Sequence, residues 1–267
     1  MKRLGKVWTF LVYLFLYAPM IVLFVGSFND GKDLSEFEGF TLSNYLDLFT
    51  DSGALGLLLN SVILGLASAA LATLLGTVAA VGIHAMRGRI RRLVMTLTNI
   101  PLVNPEIVTG ISLALLFVFI GRGILGTDNV LGFGTLLIAH VTFNLPYVIL
   151  SVMPKLRQTD PSLMDAAQDL GCNVWQILWR VLVPLTGPGI ATGITQVFVP
   201  SVSTFIISRM LGGGSNLLIG DLIELQFLGN SYNLNLGSAM SLVLMVIVLL
   251  CMSFTSSFDE SEMEGVM

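Results

Sequence analysis

The chain has 267 residues, of which 54% are hydrophobic and only 11% charged, and its mean hydropathy is +0.86. Soluble domains carry roughly 25% charged residues, so this is the composition of an integral membrane protein. A net charge of −4, with no basic patch interleaved with aromatics, gives no footing for nucleic acid, and Cys172 and Cys251 have neither the spacing nor the setting of a disulfide or metal site.

In chain order, Lys2, Arg3 and Lys6 precede an apolar run over 7–28. It is long enough to cross about 30 Å of hydrocarbon. No small-residue cleavage site follows, so an uncleaved first span is expected rather than a signal peptide. Residues 29–53 read as a polar, acidic loop, and 57–86 as an uncharged second span. On that span Gly65, Ala69, Ala72, Gly76 and Ala80 form a stripe of small residues, the kind of surface that lets helices approach closely. Arg87, Arg89, Arg91 and Arg92 end it, and a third span is expected from about 93 to 120, containing Pro101, Asn104, Pro105 and Glu106. A short loop over 121–132 leads to a fourth span, 133–153, and a polar stretch, 160–184, separates it from a fifth, about 187–210. Gly212-Gly213-Gly214-Ser215 is a hinge or turn into 216–233, a partly embedded loop helix carrying Asp221 and Glu224. The sixth span is expected at about 236–254, ahead of a short acidic tail over 259–267.

Charge orients these spans. With the N-terminus inside, Lys2, Arg3, Lys6, Arg87, Arg89, Arg91, Arg92, Lys155, Arg157 and Arg180 are cytoplasmic, and only Lys32, Arg122 and Arg209 are outside. This positive-inside bias puts both termini and the 160–184 stretch in the cytoplasm.

Within that stretch Asp160 is a helix cap, with Pro161 in the first turn, where a missing N–H does no harm. Leu163, Ala166, Ala167 and Leu170 fall at helical spacing and make one small, shallow apolar face. Asp165 lies where the helix dipole favours negative charge, and Gly171 is a natural stop. A second amphipathic run, with Trp175, Leu178, Trp179 and Leu182, leads to Pro184. A flat face of small side chains suits a groove on another protein. An interfacial helix lying on lipid fits less well, because the face is weakly hydrophobic and carries few basic residues.

Asp165-Ala166-Ala167, then Gly171, then Val181-Leu182-Val183-Pro184 resembles the E-A-A-x3-G-x9-I-x-L-P loop of ATP-binding-cassette (ABC) importer permeases, with Asp for Glu and Val for Ile and Leu. The resemblance implies an all-α membrane protein with six transmembrane helices and the type I ABC importer permease fold. It implies a single permease domain over 1–267, with a cytoplasmic coupling loop at about 154–187. Leu163, Asp165, Ala166, Ala167, Leu170 and Gly171 would then dock an ATPase subunit. The implied partners are an ATPase dimer, a second permease subunit, an extracellular or periplasmic substrate-binding protein and the lipid of a bacterial inner membrane.

The chain has no G-x-x-x-x-G-K-[ST] loop and no Ser-His-Asp or Cys-His constellation; His84 and His140 are its only histidines. No catalytic site, metal or cofactor of its own is therefore expected, and the resemblance assigns ATP and magnesium to the partner. Glu106 is the one carboxylate placed inside the hydrocarbon: it follows Arg92 by 14 residues, roughly 21 Å along a continuous helix. Such a group usually faces a cavity or a partner, and Arg122 or Arg209 are the candidate partners. On the fourth span His140, Phe143, Asn144, Tyr147 and Ser151 share a face, which suits an ammonium ion or ordinary interhelical hydrogen bonds.

Asn104-Pro105-Glu106-Ile107-Val108, His140-Val141-Thr142-Phe143 with Leu145-Pro146, and Asn216-Leu217-Leu218-Ile219-Gly220 look like segments of spermidine/putrescine permeases. Some of those permeases carry an acidic pair early in the fifth span, where this chain has Ser201-Val202-Ser203-Thr204. The resemblance implies polyamine import along a path lined by Asn104, Glu106, His140, Phe143, Asn144, Tyr147 and Ser203. The alternatives are another small solute, such as iron or sulfate, or an ATP-independent secondary transporter. For the last, one buried carboxylate and two histidines are thin coupling material.

Overall fold

The computed structural model describes residues 2–160, 162–214, 216–229 and 232–264, so Pro161, Ser215 and the end of the acidic tail lie outside the described residues. Among them there is no strand, only an isolated antiparallel bridge between Asn29 and Phe40. Helix α1 (Lys2–Ser27) is followed by a loop that holds α2 (Ser43–Thr50), and α3 (Ser52–Ala85) starts at once, capped by Asp51, whose carboxylate accepts from the Gly53 N–H at 2.9 Å. Next come α4 (Gly88–Val103), α5 (Glu106–Ile120) and α6 (Phe133–Gln158). The polar stretch holds α7 (Ser162–Asp169), α8 (Val174–Ile177), a π-helical turn (Leu178–Leu182) and α9 (Val183–Leu185). Then follow α10 (Gly187–Ser203), α11 (Ile206–Leu211), α12 (Ile219–Leu228) and α13 (Leu234–Glu264). Among the described residues five helical segments are long and apolar enough to cross a membrane: Gly5–Ser27, Ser52–Ala85, Glu106–Ile124, Phe133–Gln158 and Leu234–Ser253. A sixth is reached by Val174–Leu185 and Gly187–Ser203 taken together, which meet at a 76° bend.

The core is the mutual packing of α3, α6 and α10. The small-residue stripe on α3 is buried there, and a Cβ at Gly76 would lie 2.7 Å from Val148 Cβ on α6. From the other side, Cβ atoms at Gly189 and Gly193 of α10 would meet Ser151 of α6 at 2.7 and 2.8 Å. With so few side-chain atoms between them the backbones nearly touch, and packing rather than polarity holds the bundle. One polar link crosses all three helices: Ser68 Oγ and Asn144 Nδ2 each donate to Ser201 Oγ at 2.9 Å.

Two expectations are corrected here. The expected third span is two helices. Pro105 disfavours a helical Asn104, which sits at φ −74°, ψ 138°, and Pro105 is itself extended at ψ 135°. Glu106 therefore opens α5 instead of lying along one continuous rod. The fifth span stops at Ser203, because α12 crosses close behind it: a Cβ at Gly220 would lie 2.6 Å from the Thr204 carbonyl oxygen. The loop helix expected at Asp221 and Glu224 is α12, and both acids are paired. Asp221 is 1% exposed, accepts from Ser208 Oγ at 2.5 Å and the Leu218 N–H at 2.8 Å, and pairs with Arg209 at 3.5 Å; Glu224 pairs with the same guanidinium. These contacts pin α12 onto α11, and the Ile219 N–H donates to Ser61 Oγ on α3 at 2.8 Å.

α1 stands apart from this core with most of its side chains exposed, and packs against α13. The loop after it fastens its end: Asn44 Nδ2 donates to the Ser27 and Asn29 carbonyls at 3.1 Å, and the Leu234 N–H donates to the Lys32 carbonyl at 2.9 Å.

Candidate functional site

The 160–184 loop is built from local caps. The Ser162 N–H donates to Asp160 Oδ1 at 2.9 Å, and this bond, with help from the Ser162 hydroxyl, holds the Asp160 carboxyl below its ordinary range. At the other end of α7, Gly171 takes a left-handed φ of +81°. The Gly171 N–H then donates to Gln168 O at 2.8 Å and the Cys172 N–H to Ala167 O at 3.0 Å, the paired bonds of a glycine-terminated helix. A reciprocal box starts α8: the Gln176 N–H donates to Asn173 Oδ1 at 2.9 Å and the Asn173 N–H to Gln176 Oε1 at 2.8 Å.

These caps fix which side chains face out. Leu163, Asp165, Ala166 and Leu170 are exposed, Leu170 at 85%, and form a surface a partner could cover. Ala167, expected on that face, is 8% exposed and belongs to the core cluster with Ile177 and Leu182, so it anchors α7 to its own chain. The second amphipathic face is also redistributed. The π turn bonds the Val183 N–H to Leu178 O, five residues back, which rotates the register. Leu178 and Leu182 go inward with Ile177, and Trp175 and Trp179 stay exposed.

The breaks at Asn104-Pro105 and at Thr204 meet around a cavity of about 140 Å³. Glu106 reaches it from the first turn of α5, His140, Phe143 and Asn144 from α6, and Ser203 and Thr204 from the end of α10; Pro200, Phe205 and Ile207 complete the lining. Thr204 Oγ1 donates to Glu106 Oε1 at 2.7 Å, a bond between the two broken spans. His140, 2% exposed, places Nδ1 2.8 Å from the Leu136 carbonyl. A carbonyl only accepts, so the proton of the neutral ring sits on Nδ1 and Nε2 is left as an acceptor. Among the described residues Nε2 has no partner, and neither has Oδ1 of Asn144, which is 1% exposed. The residues around the cavity thus hold a carboxylate, a ring nitrogen and an amide oxygen, all of them acceptors.

Five of the seven expected pathway residues come together here: Glu106, His140, Phe143, Asn144 and Ser203. Asn104 does not, because it lies exposed in the extended link ahead of α5. Tyr147, nearly one turn beyond Asn144, is half-buried outside the lining. Glu106 pairs with neither candidate arginine: Arg122 pairs with Asp128 at 3.4 Å, and Arg209 is held by Asp221 and Glu224. Thr204 is the residue that sequence reasoning passed over. It lay in the Ser201–Thr204 segment seen only as lacking acids, and its value depends on a helix break 98 residues from Glu106.

Residues 72–259 match the family described as "Binding-protein-dependent transport system inner membrane component". The chain is 33% identical over 204 residues to the spermidine/putrescine transport system permease protein PotC of Escherichia coli (strain K12), covering 76% of this chain and 75% of that one. It is 33% identical over 203 residues to the putrescine transport system permease protein PotI of the same strain, covering 75% and 72%. Among solved structures, a chain of a bacterial ABC transporter involved in import of the acidic polysaccharide alginate superposes with a TM-score of 0.76 at 16% identity, over 97% of this chain and 96% of that one.

Proposed function

Since the chain belongs to the family of binding-protein-dependent transport system inner membrane components, and is thus a permease subunit of an importer, we propose that its cargo is a polyamine. The relatives named for spermidine and putrescine support this reading, and one observation in the molecule carries it: Glu106, His140 and Asn144 line a single cavity, and His140 Nε2 and Asn144 Oδ1 are acceptors with no partner among the described residues. A primary ammonium group has three N–H donors and no acceptor. It matches that set, and the carboxylate supplies the opposite charge. Phe143 and Phe205 add aromatic wall for the methylene chain or for cation–π attraction. At about 140 Å³ the cavity is small beside the ~300–1,000 Å³ of ligand pockets. It therefore takes one ammonium end of a polyamine at a time, and weak, stepwise binding is what passage requires.

The remaining parts follow the importer scheme. The exposed face of α7, with Leu163, Asp165, Ala166 and Leu170, docks an ATPase subunit that binds ATP and magnesium; this chain supplies no nucleotide site. A second permease subunit completes the pathway, a binding protein delivers the cargo, and both termini lie in the cytoplasm with the loop. ATP-driven closure of the ATPase dimer moves α7 and opens the cavity to the other side, and the Thr204–Glu106 bond is a contact that an arriving ammonium would replace.

The test is uptake of radiolabelled spermidine and putrescine by cells lacking other polyamine importers. Wild type should take them up, and Glu106→Gln, which removes charge but little volume, should lower uptake with near-normal expression. No uptake by wild type rejects the substrate; full uptake by Glu106→Gln rejects the role of the carboxylate.

A further inference from the structure

Three arginines from two helices converge at the end of the molecule that carries the 160–184 loop. Arg91 and Arg92 come from the start of α4 and Arg157 from the last turn of α6; with Met95, Thr96 and Asn99 they line a cleft of about 490 Å³. The ion pairs among the described residues involve Arg122 and Arg209, so none of these three has a carboxylate within 4.0 Å. Arg92 Nε makes only a long bond, 3.4 Å, to the Gly88 carbonyl. Like charges gathered in one cleft repel unless an anion sits among them. A positive-inside bias calls for basic residues at this level, but not for guanidinium groups from two helices lining the same space.

The flank of the cleft is apolar and open. No residue of α4 is buried, and Leu93, Leu97 and Ile100, spaced three and four apart beside the arginines, are exposed. The cleft also lies level with the ends of two apolar spans, α3 at Ala85 and α6 at Gln158, where headgroups begin. We propose that it binds the phosphate of an anionic membrane lipid, with the guanidinium groups on the phosphodiester oxygens and the acyl chains along Leu93, Leu97 and Ile100. Arginine suits this task because its planar fork meets phosphate oxygens in pairs. Inorganic phosphate would satisfy the charge alone, and an acidic protein segment would leave the apolar row unused. The proposal is independent of the cargo.

The experiment is native mass spectrometry of the full chain, purified with its co-purifying subunits, after exchange into phosphatidylglycerol or phosphatidylcholine. Wild type should retain phosphatidylglycerol in preference. Each arginine near an anionic lipid contributes roughly fivefold, so Arg91→Gln combined with Arg157→Gln should cut the preference by about 25-fold. Arg122→Gln, a surface change in a different loop, should leave it unchanged. If the double variant does not fold, Arg157→Gln alone should show about one fivefold step. Equal retention of the two lipids by wild type overturns the proposal, as does an unchanged preference in the variants. Displacement of the lipid by millimolar inorganic phosphate makes this a free-anion pocket and overturns it. Loss of the ATPase subunit from the variants with lipid preference intact assigns the cleft to a protein and also overturns it.

Discussion

Gly171 holds a left-handed backbone where α7 must end and the chain must turn toward α8. An L side chain there brings its Cβ against its own backbone at a cost of about 1–2 kcal/mol, yet nothing lies within 4 Å of where that Cβ would sit. A substitution should therefore strain the turn and spare the packing. Gly171→Asn, a residue that tolerates this conformation, should keep substrate-stimulated ATPase activity in the assembled transporter. Gly171→Val should lose most of it while remaining in the membrane; equal activity in the two variants would remove this turn from coupling. Next to it, Ala167→Asp should impair assembly because it buries a charge among Ile177 and Leu182, whereas Ala166→Asp should fold normally and reduce co-purification of the ATPase. The reverse ranking would invert the assignment of the two alanines. Residues like Gly171 and Asp160 are legible in sequence because their bonds are made within a few positions of themselves. Ala167 and Asp221 were not, since what buries the one and neutralises the other arrives from other helices.

At the scale of elements, hydropathy locates the apolar stretches but not the places where a helix stops inside one. At Asn104-Pro105 the stop comes from Pro105, which disfavours a helical Asn104, and at Ser203 it comes from tertiary packing, with α12 close behind Thr204 at Gly220. That is why Glu106 was expected along a rod and is found at a helix start beside the end of another. The small-residue stripe on α3 was readable, because close approach demands small side chains at helical spacing, and it makes a sharp prediction. Gly76→Leu forces bulk against Val148 and should destabilise by about 1–3 kcal/mol. Gly82→Leu on the same helix, with nothing within 4 Å, should be silent. Thermal unfolding midpoints of the two purified variants make the comparison, and equal midpoints would mean that α3 and α6 are looser than described.

For the whole molecule the sign of the loop's position is the decisive property, because an ATPase can reach α7 only from the cytoplasm. In a chain with Cys172 and Cys251 replaced by Ser, a cysteine at exposed Ser162 should react with a membrane-impermeant reagent only from the cytoplasmic side, and one at exposed Ser35 only from the opposite side. The opposite pattern would remove the docking proposal along with the charge argument. The contact of α1 with α13, and the tie from Leu234 to Lys32, have a consequence for manufacture. The ribosome delivers α1 before every other span described and α13 after them, so the earliest helix has to wait in the bilayer for its packing partner until translation is nearly over. Closure of that seam is then a mark of completion: a nascent chain cut short before residue 234 lacks both the α1–α13 contact and the Leu234–Lys32 tie that a finished one has.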